Sequence, residues 1–264
     1  MTDRVLAPLG RRACRVTAND AVGAYRVLRV ADPDGPEPWP GQFYMLATVE
    51  RWGAGADERP YLPRAFSYLR WVDGELHFML EDVGPGTARL GAAAPGEAMW
   101  VLGPLGAGFT LPEDGRAPVL CGGGVGAAPL AALQDRLGEA VALLGFRDEA
   151  HAPGAALLRD VRVATDDGSV GHHGVVTDLL AEMLDEQVAV YACGPPPMLE
   201  AVRALCAERG VPAQLALESG MACGYGACFG CVVPTRGGYV RLCLDGPVLD
   251  AADLETALVP GAGH

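Results

Sequence analysis

The densest chemistry in the sequence lies near its C-terminus, in Cys223-Gly-Tyr-Gly-Ala-Cys228-Phe-Gly-Cys231 with Cys243 further on. A C-x4-C-x2-C run followed by a fourth Cys is the plant-type spacing for a 2Fe-2S cluster, whose two irons need four thiolates. Gly224, Gly226 and Gly230 let the backbone curl so that its N–H groups can face the sulfurs. The spacing leaves two alternatives open: a zinc site, which more often shows paired C-x2-C hooks, and buried Cys without a ligand. Cys14, Cys121, Cys193 and Cys206 are isolated, and most of them read as core residues.

Two glycine-rich turns come next. Gly122, Gly123, Gly124 and Gly126 lie where a strand hands over to a helix, so a pyrophosphate could approach the helix N-terminus, whose free N–H groups and dipole favour anions. Cys193-Gly194-Pro195 ends a later strand and opens another helix, and in a doubly wound sheet both turns reach the carboxyl edge, where ligands bind. A purely structural turn remains the alternative for either alone. Earlier, Arg64-Ala-Phe66-Ser67 starts a strand and Gly84-Pro-Gly86-Thr87 heads a short helical turn. An Arg fork with free helix N–H groups could hold a diphosphate, and a Ser hydroxyl could hydrogen-bond an isoalloxazine edge. An ordinary surface charge and an ordinary turn fit those residues equally well.

These residues need elements to position them. Up to about residue 112, short apolar runs (13–17, 24–30, 42–49, 65–71, 76–82 and 98–102) alternate with Pro and Gly breakers, which predicts a sandwich or barrel. The segment 52–60 reads as a surface loop. From Arg116 the pattern becomes strand, glycine turn, Ala/Leu-rich helix to Leu137, strand 140–145, then strands 161–165, 188–192 and 213–217 with helices 175–184 and 197–208 between them. That alternation predicts a parallel sheet covered by helices. Three pieces follow: 1–112, 113–215 and 216–264, the last holding the four clustered Cys, with 259–264 a frayed end.

Composition narrows the partners. Lys+Arg 20 against Asp+Glu 33 gives a net charge of −13, which repels a nucleic-acid backbone and an anionic membrane alike. The longest uncharged run, 117–134, is broken by glycines and Pro129 and is poor material for a membrane span. No secretory signal is visible, so the expected compartment is the cytoplasm, where clustered Cys are metal ligands more often than bridges. His172-His173 reads as an exposed pair in a loop, and no hydrolase motif appears. The run Phe146-Arg147-Asp148 sets a ribose-binding Asp beside an Arg able to meet a 2′-phosphate, so the residues alone leave NAD against NADP open.

Taken in order, Arg64-x-Phe66-Ser67, Gly84-x-Gly86-Thr87, Gly103-Pro104-Leu105-Gly106-x-Gly108-Phe109, the turn at 122–126 and Cys193-Gly194-Pro195 resemble the pattern of ferredoxin-NADP reductase-like flavoproteins over nearly the whole chain. Glu218-x-x-Met221-x-Cys223 through Cys231, Cys243-x-Asp245-Gly246-Pro247-Val248, Pro40-Gly41-Gln42-Phe43-x-Met45, and Thr165–Ser169 through Gly174–Leu179 are similar, within that group, to the electron-transfer subunit family of NAD-linked dihydroorotate dehydrogenases. The resemblance implies α/β plus all-β architecture: a Greek-key FAD-binding barrel, a doubly wound NAD-binding domain and a small 2Fe-2S lobe. It implies that Arg64 and the 84–87 turn hold the FAD diphosphate, that Phe66 and Ser67 lie near the flavin, and that Gly122–Gly126 and Cys193–Pro195 frame NAD. It implies an oxidoreductase subunit of pyrimidine biosynthesis, assembled as a heterotetramer with an FMN-containing catalytic subunit. The resemblance tips the nucleotide toward NAD. Gly220 departs from it, standing where a larger, often basic side chain is expected, and Phe66 replaces a common Tyr. Other readings of the same build are a subunit serving a hydrogenase or sulfite reductase, or a non-catalytic redox sensor.

Overall fold

The computed structural model describes residues 4–50, 52, 61–112 and 115–259. The N-terminal part folds into β1 (Arg12–Val22), β2 (Tyr25–Ala31), β3 (Phe43–Thr48), β4 (Arg64–Ser67), β5 (Arg70–Val72), β6 (Glu75–Glu81), a short helix α1 (Pro85–Gly91) and β7 (Ala98–Leu105). These strands pair antiparallel in the order β4-β3-β7-β1-β2-β6-β5. The apolar run 65–71, which reads as one strand, is two: β4 pairs with β3 and β5 with β6, at opposite ends of the sheet. The link is buried Tyr68 and Leu69, which carry the chain from one edge strand of the sheet to the other. Most of the segment 52–60 lies outside the described residues.

The central part holds β8 (Ala117–Gly123), α2 (Ala127–Leu137), β9 (Val141–Phe146), β10 (Val161–Thr165), β11 (His172–His173), α3 (Val176–Ala181), β12 (Val188–Cys193), α4 (Pro196–Arg209) and β13 (Ala213–Ala216). Its sheet runs β11-β10-β9-β8-β12-β13, parallel throughout. The order reverses between β8 and β12, a topological switch point. The strands are apolar on both faces because helices cover both, and small residues such as Ala127, Ala128 and Ala131 let α2 lie close on the sheet. His172 and His173 are exposed, as expected, but extend the sheet as a two-residue edge strand. Beyond β13 come the ribbon β14 (Val232–Thr235) and β15 (Gly238–Arg241), and then β16 (Val248–Asp250), which returns to pair antiparallel with β13.

Strand β3 joins the parts. Tyr44 and Leu46 pack into the barrel interior, whereas Phe43 and Met45 point the other way, into a core shared with Leu105, Cys231, Val233, Leu242 and Cys243. A period of two thus makes one strand the common wall of barrel and C-terminal lobe. Buried Gln42 pins its start: its amide donates to the carbonyl of Gly106 at 2.9 Å and its carbonyl accepts from the Trp39 N–H at 2.9 Å. Ala107 bridges to Pro247 and the Phe109 N–H donates to Pro40 O at 2.8 Å, with the Phe109 ring fully buried. Truncating such a ring to Ala costs about 3–5 kcal/mol. The Pro40–Met45, Gly103–Phe109 and Asp245–Val248 motifs are therefore the junction of the three parts. No helix of the described residues is long and apolar enough to cross a membrane.

Candidate functional site

At the barrel rim, Arg64 and the turn before α1 come together. The guanidinium lies over Gly86, where a Cβ would sit 2.5 Å from Nε, so only glycine leaves room for it. Arg64 is steadied by a hydrogen bond from Nη1 to Leu62 O at 2.7 Å, and the first turn of α1 has no side-chain cap. Thr87 is buried and engaged within the turn: its hydroxyl accepts from the Val83 N–H at 2.9 Å and donates to Gly84 O at 2.9 Å. It shapes the turn, and the N–H groups of Gly86 and Thr87 are left without a side-chain cap beside Arg64. The C-terminal end of α1 is held by Asn19, whose amide donates to the carbonyls of Leu90, Gly91 and Ala93, with Arg26 Nε donating back to Asn19 Oδ1 at 2.9 Å. These two supports gave no signal in the sequence, because β1 and α1 are far apart along the chain.

Phe66 packs against the barrel core. Ser67 stands opposite Phe43 in the β3–β4 pair and therefore on the same face as Met45.

The glycine turn at 122–126 and the Cys193-Gly194-Pro195 turn meet at the ends of neighbouring parallel strands, with Cys193 beside Gly122. Their contact is close: a Cβ on Gly126 would lie 2.1 Å from the Cys193 carbonyl oxygen, and one on Gly123 would lie 2.7 Å from Met198 Sδ. Gly122 packs on Leu144 and Leu130, whereas Gly124, at φ +54, faces open space apart from the Tyr25 hydroxyl. Most of these glycines thus bring two turns together, and Gly124 leaves the edge open. Burial pushes the Cys193 thiol up to about 12, with the charge of Glu218 adding to the effect, so it stays protonated at neutral pH.

The four clustered cysteines form two pairs. Cys231 and Cys243 are buried with their sulfurs 3.1 Å apart, and Cys223 lies beside exposed Cys228. Burial pushes the Cys223 thiol up, but hydrogen bonds from the N–H groups of Cys228, Tyr225 and Ala227 outweigh it and bring it down to about 6. Cys243 is pushed up to about 12 by burial and by Cys231 beside it, although the Gly226 N–H favours its thiolate. Gly224, at φ +78, presses on Met45 and Leu105, and Arg241 Nη1 donates to Gly226 O at 3.0 Å with its guanidinium 4.9 Å from the Phe229 ring. Paired thiols ringed by backbone N–H groups fit a two-iron cluster, which takes two thiolates on each iron. Among the described residues, no group of three or more His, Cys, Asp or Glu is arranged around a single metal ion. At Gly220 the space for a side chain is open.

An antiparallel, barrel-like sheet followed by a doubly wound sheet, with the two glycine turns at its switch point, is the architecture of the ferredoxin-NADP reductase-like class. The fold is similar to a solved chain from a study of NADH-dependent reduced ferredoxin-NADP oxidoreductase, with TM-score 0.79 and 24% identity over 94% of this chain and 92% of that one. Residues 218–255 match the model of the iron-sulfur cluster binding domain of dihydroorotate dehydrogenase B. The chain is 34% identical to the dihydroorotate dehydrogenase B (NAD(+)) electron transfer subunit of Caldanaerobacter subterraneus subsp. tengcongensis over 91% of its own length and 96% of the relative's. It is 39% identical to that of Geobacillus kaustophilus over 81% and 86%. It belongs to the family of dihydroorotate dehydrogenase B (NAD(+)) electron transfer subunits.

Proposed function

We propose that this chain passes electrons from an FMN-containing, dihydroorotate-oxidising catalytic subunit to NAD+, through a 2Fe-2S cluster held by Cys223, Cys228, Cys231 and Cys243 and an FAD held by the barrel. When bound, the cluster supplies one-electron transfer and the flavin converts single electrons into the hydride that nicotinamide carries. One observation carries the reading: Ser67 shares a face of the β3–β4 pair with Met45, and Met45 touches Gly224 of the cluster loop. A ring seated against Ser67 would therefore have the cluster loop as its neighbour across β3. On its other side, Ala216 at the end of β13 pairs with Cys193 of the nucleotide edge, and the chain runs on from there into Cys223.

The residues bind and orient. Arg64 offers its fork to the FAD diphosphate, and Gly86 leaves space for that fork. The Ser67 hydroxyl would hydrogen-bond the ring edge, and Phe66 backs the strand from inside the barrel. Gly122–Gly126 and Cys193–Pro195 frame the dinucleotide, and the protonated Cys193 thiol adds no charge beside the nicotinamide. No side chain is required to act as a general acid. None of the eight cysteines is joined in a disulfide, which suits a reducing cytoplasm.

Affinity purification of the tagged chain from its native cells, with the complex assayed for dihydroorotate-dependent NAD+ reduction, tests this. A stoichiometric FMN-containing partner with that activity is the expected result. Recovery of a hydrogenase or sulfite reductase subunit instead would overturn the substrate while leaving the cofactor sites in place.

A further inference from the structure

The edge of the nucleotide domain beyond β9 carries one arginine and several carboxylates. Arg147 follows β9 about 20 residues beyond the glycine turn, where a doubly wound domain reads the adenosine ribose. Its guanidinium is already engaged. Nη2 pairs with Glu81, the last residue of β6, which belongs to the barrel, and also donates to His151 Nε2 at 2.8 Å. The other ring nitrogen of His151 meets Asp148 Oδ1 at 2.6 Å. That contact, above all, holds the Asp148 carboxyl below its usual range. Asp167, after β10, accepts from the Ser169 hydroxyl at 2.6 Å and from its N–H at 3.0 Å, which keep it ionised, and its own N–H donates to Arg147 O at 3.3 Å. Asp166 is exposed beside it.

Building on the dinucleotide reading above, we infer that Glu81 makes this site selective for a dinucleotide without a 2′-phosphate, by occupying the one guanidinium among the described residues at that strand end which could receive the phosphate. A 2′-phosphate brings nearly two negative charges to an edge where Glu81, Asp148, Asp166 and Asp167 already outnumber Arg147. The Arg147 side chain is 62% exposed, and an ion pair that exposed adds little to folding stability. Its consequence is where it leaves the charge. Glu81 is a positioning residue acting through Arg147, and it comes from a different part of the fold than the nucleotide it would screen.

The test uses the full flavin-loaded chain with ferricyanide as acceptor, comparing kcat/KM for NADH and NADPH, with 2′,5′-ADP against 5′-ADP as competitive inhibitors. Glu81→Gln is expected to lower the NADH/NADPH preference about tenfold, through a lower KM for NADPH and tighter 2′,5′-ADP binding rather than through kcat. Adding Arg147→Ala to Glu81→Gln should abolish that gain. Asp167→Asn, an exposed change that keeps the Ser169 contacts, should lower the preference by about threefold even if Glu81→Gln folds poorly. A preference that stays within about twofold of the parent in the folded variants overturns the inference and leaves the proposed function standing. A parent chain that neither nucleotide reduces would overturn both.

Discussion

The nucleotide edge and the cluster loop use glycine in opposite settings. At the edge, the glycine turn and the Cys193 turn are pressed together over the buried centre of the sheet, with Leu120, Cys121 and Ala192 at 0% exposure. The cluster loop lies on the surface: Tyr225 and Phe229 are 58% and 62% exposed and Cys228 is open to solvent, while only Cys231 and Cys243 reach the core. The first site is shaped by packing before any ligand arrives. The second has its inner half, with Cys231 and Cys243, built by packing, and its outer half, with Cys223 and Cys228, formed by a loop at the surface.

Four changes break or sharpen that contrast, in falling order of effect. Gly126→Ala puts a methyl group 2.1 Å from the Cys193 carbonyl and should destabilise the whole chain by about 3 kcal/mol, read as a lower urea midpoint. Cys228→Ser removes an exposed ligand, so the cluster absorption should vanish while FAD content and NADH-driven flavin reduction persist. A variant that still passes electrons to its partner at the parent rate would refute the relay. Arg64→Ala should lower FAD affinity about tenfold or more with little change in unfolding, since Arg64 contributes a charge to a ligand and not to a core. Unchanged flavin occupancy after dialysis would remove Arg64 from the site. Gly220→Lys should alter stability by less than about 0.5 kcal/mol, because its side chain enters open space.

A pH experiment separates the two halves of the cluster loop directly. In protein stripped of its cluster, Cys223 should be alkylated with a midpoint near pH 6, because the thiolate is present above its pKa of about 6 and is lost as pH falls through it. Cys243, pushed up to about 12, should stay unreactive at neutral pH. Equal rates for both at pH 7 would mean that the backbone N–H groups do not distinguish them.

The clustering of the cysteines was legible because thiol spacing is local: Cys223, Cys228 and Cys231 sit in one loop whatever surrounds it. The alternation of strands and helices from Arg116 onward was legible for the same reason, since hydrophobic period is read within a few residues. The break at Tyr68 and Leu69 was not, because an apolar run looks the same whether it continues along one strand or crosses to the far edge of a barrel. Nor was the role of the motifs at residues 40–45, 103–109 and 245–248, which the sequence offers only as marks of the family resemblance. Their work is to seat Gln42, Phe109 and Pro247 against one another, and those residues are neighbours only after folding.

Sequence alone determined which atoms are available: four thiols at cluster spacing, glycine turns at strand ends, and an arginine at a strand start. It did so because residue type and short-range spacing fix local backbone geometry. Tertiary structure decided which of those groups share a face. It set Ser67 and Met45 on one side of β3–β4, laid Gly224 against Met45, and placed Glu81 of the barrel on Arg147 of the nucleotide domain. Such pairings depend on strand register and on contacts between residues distant in the chain, and no local pattern encodes either.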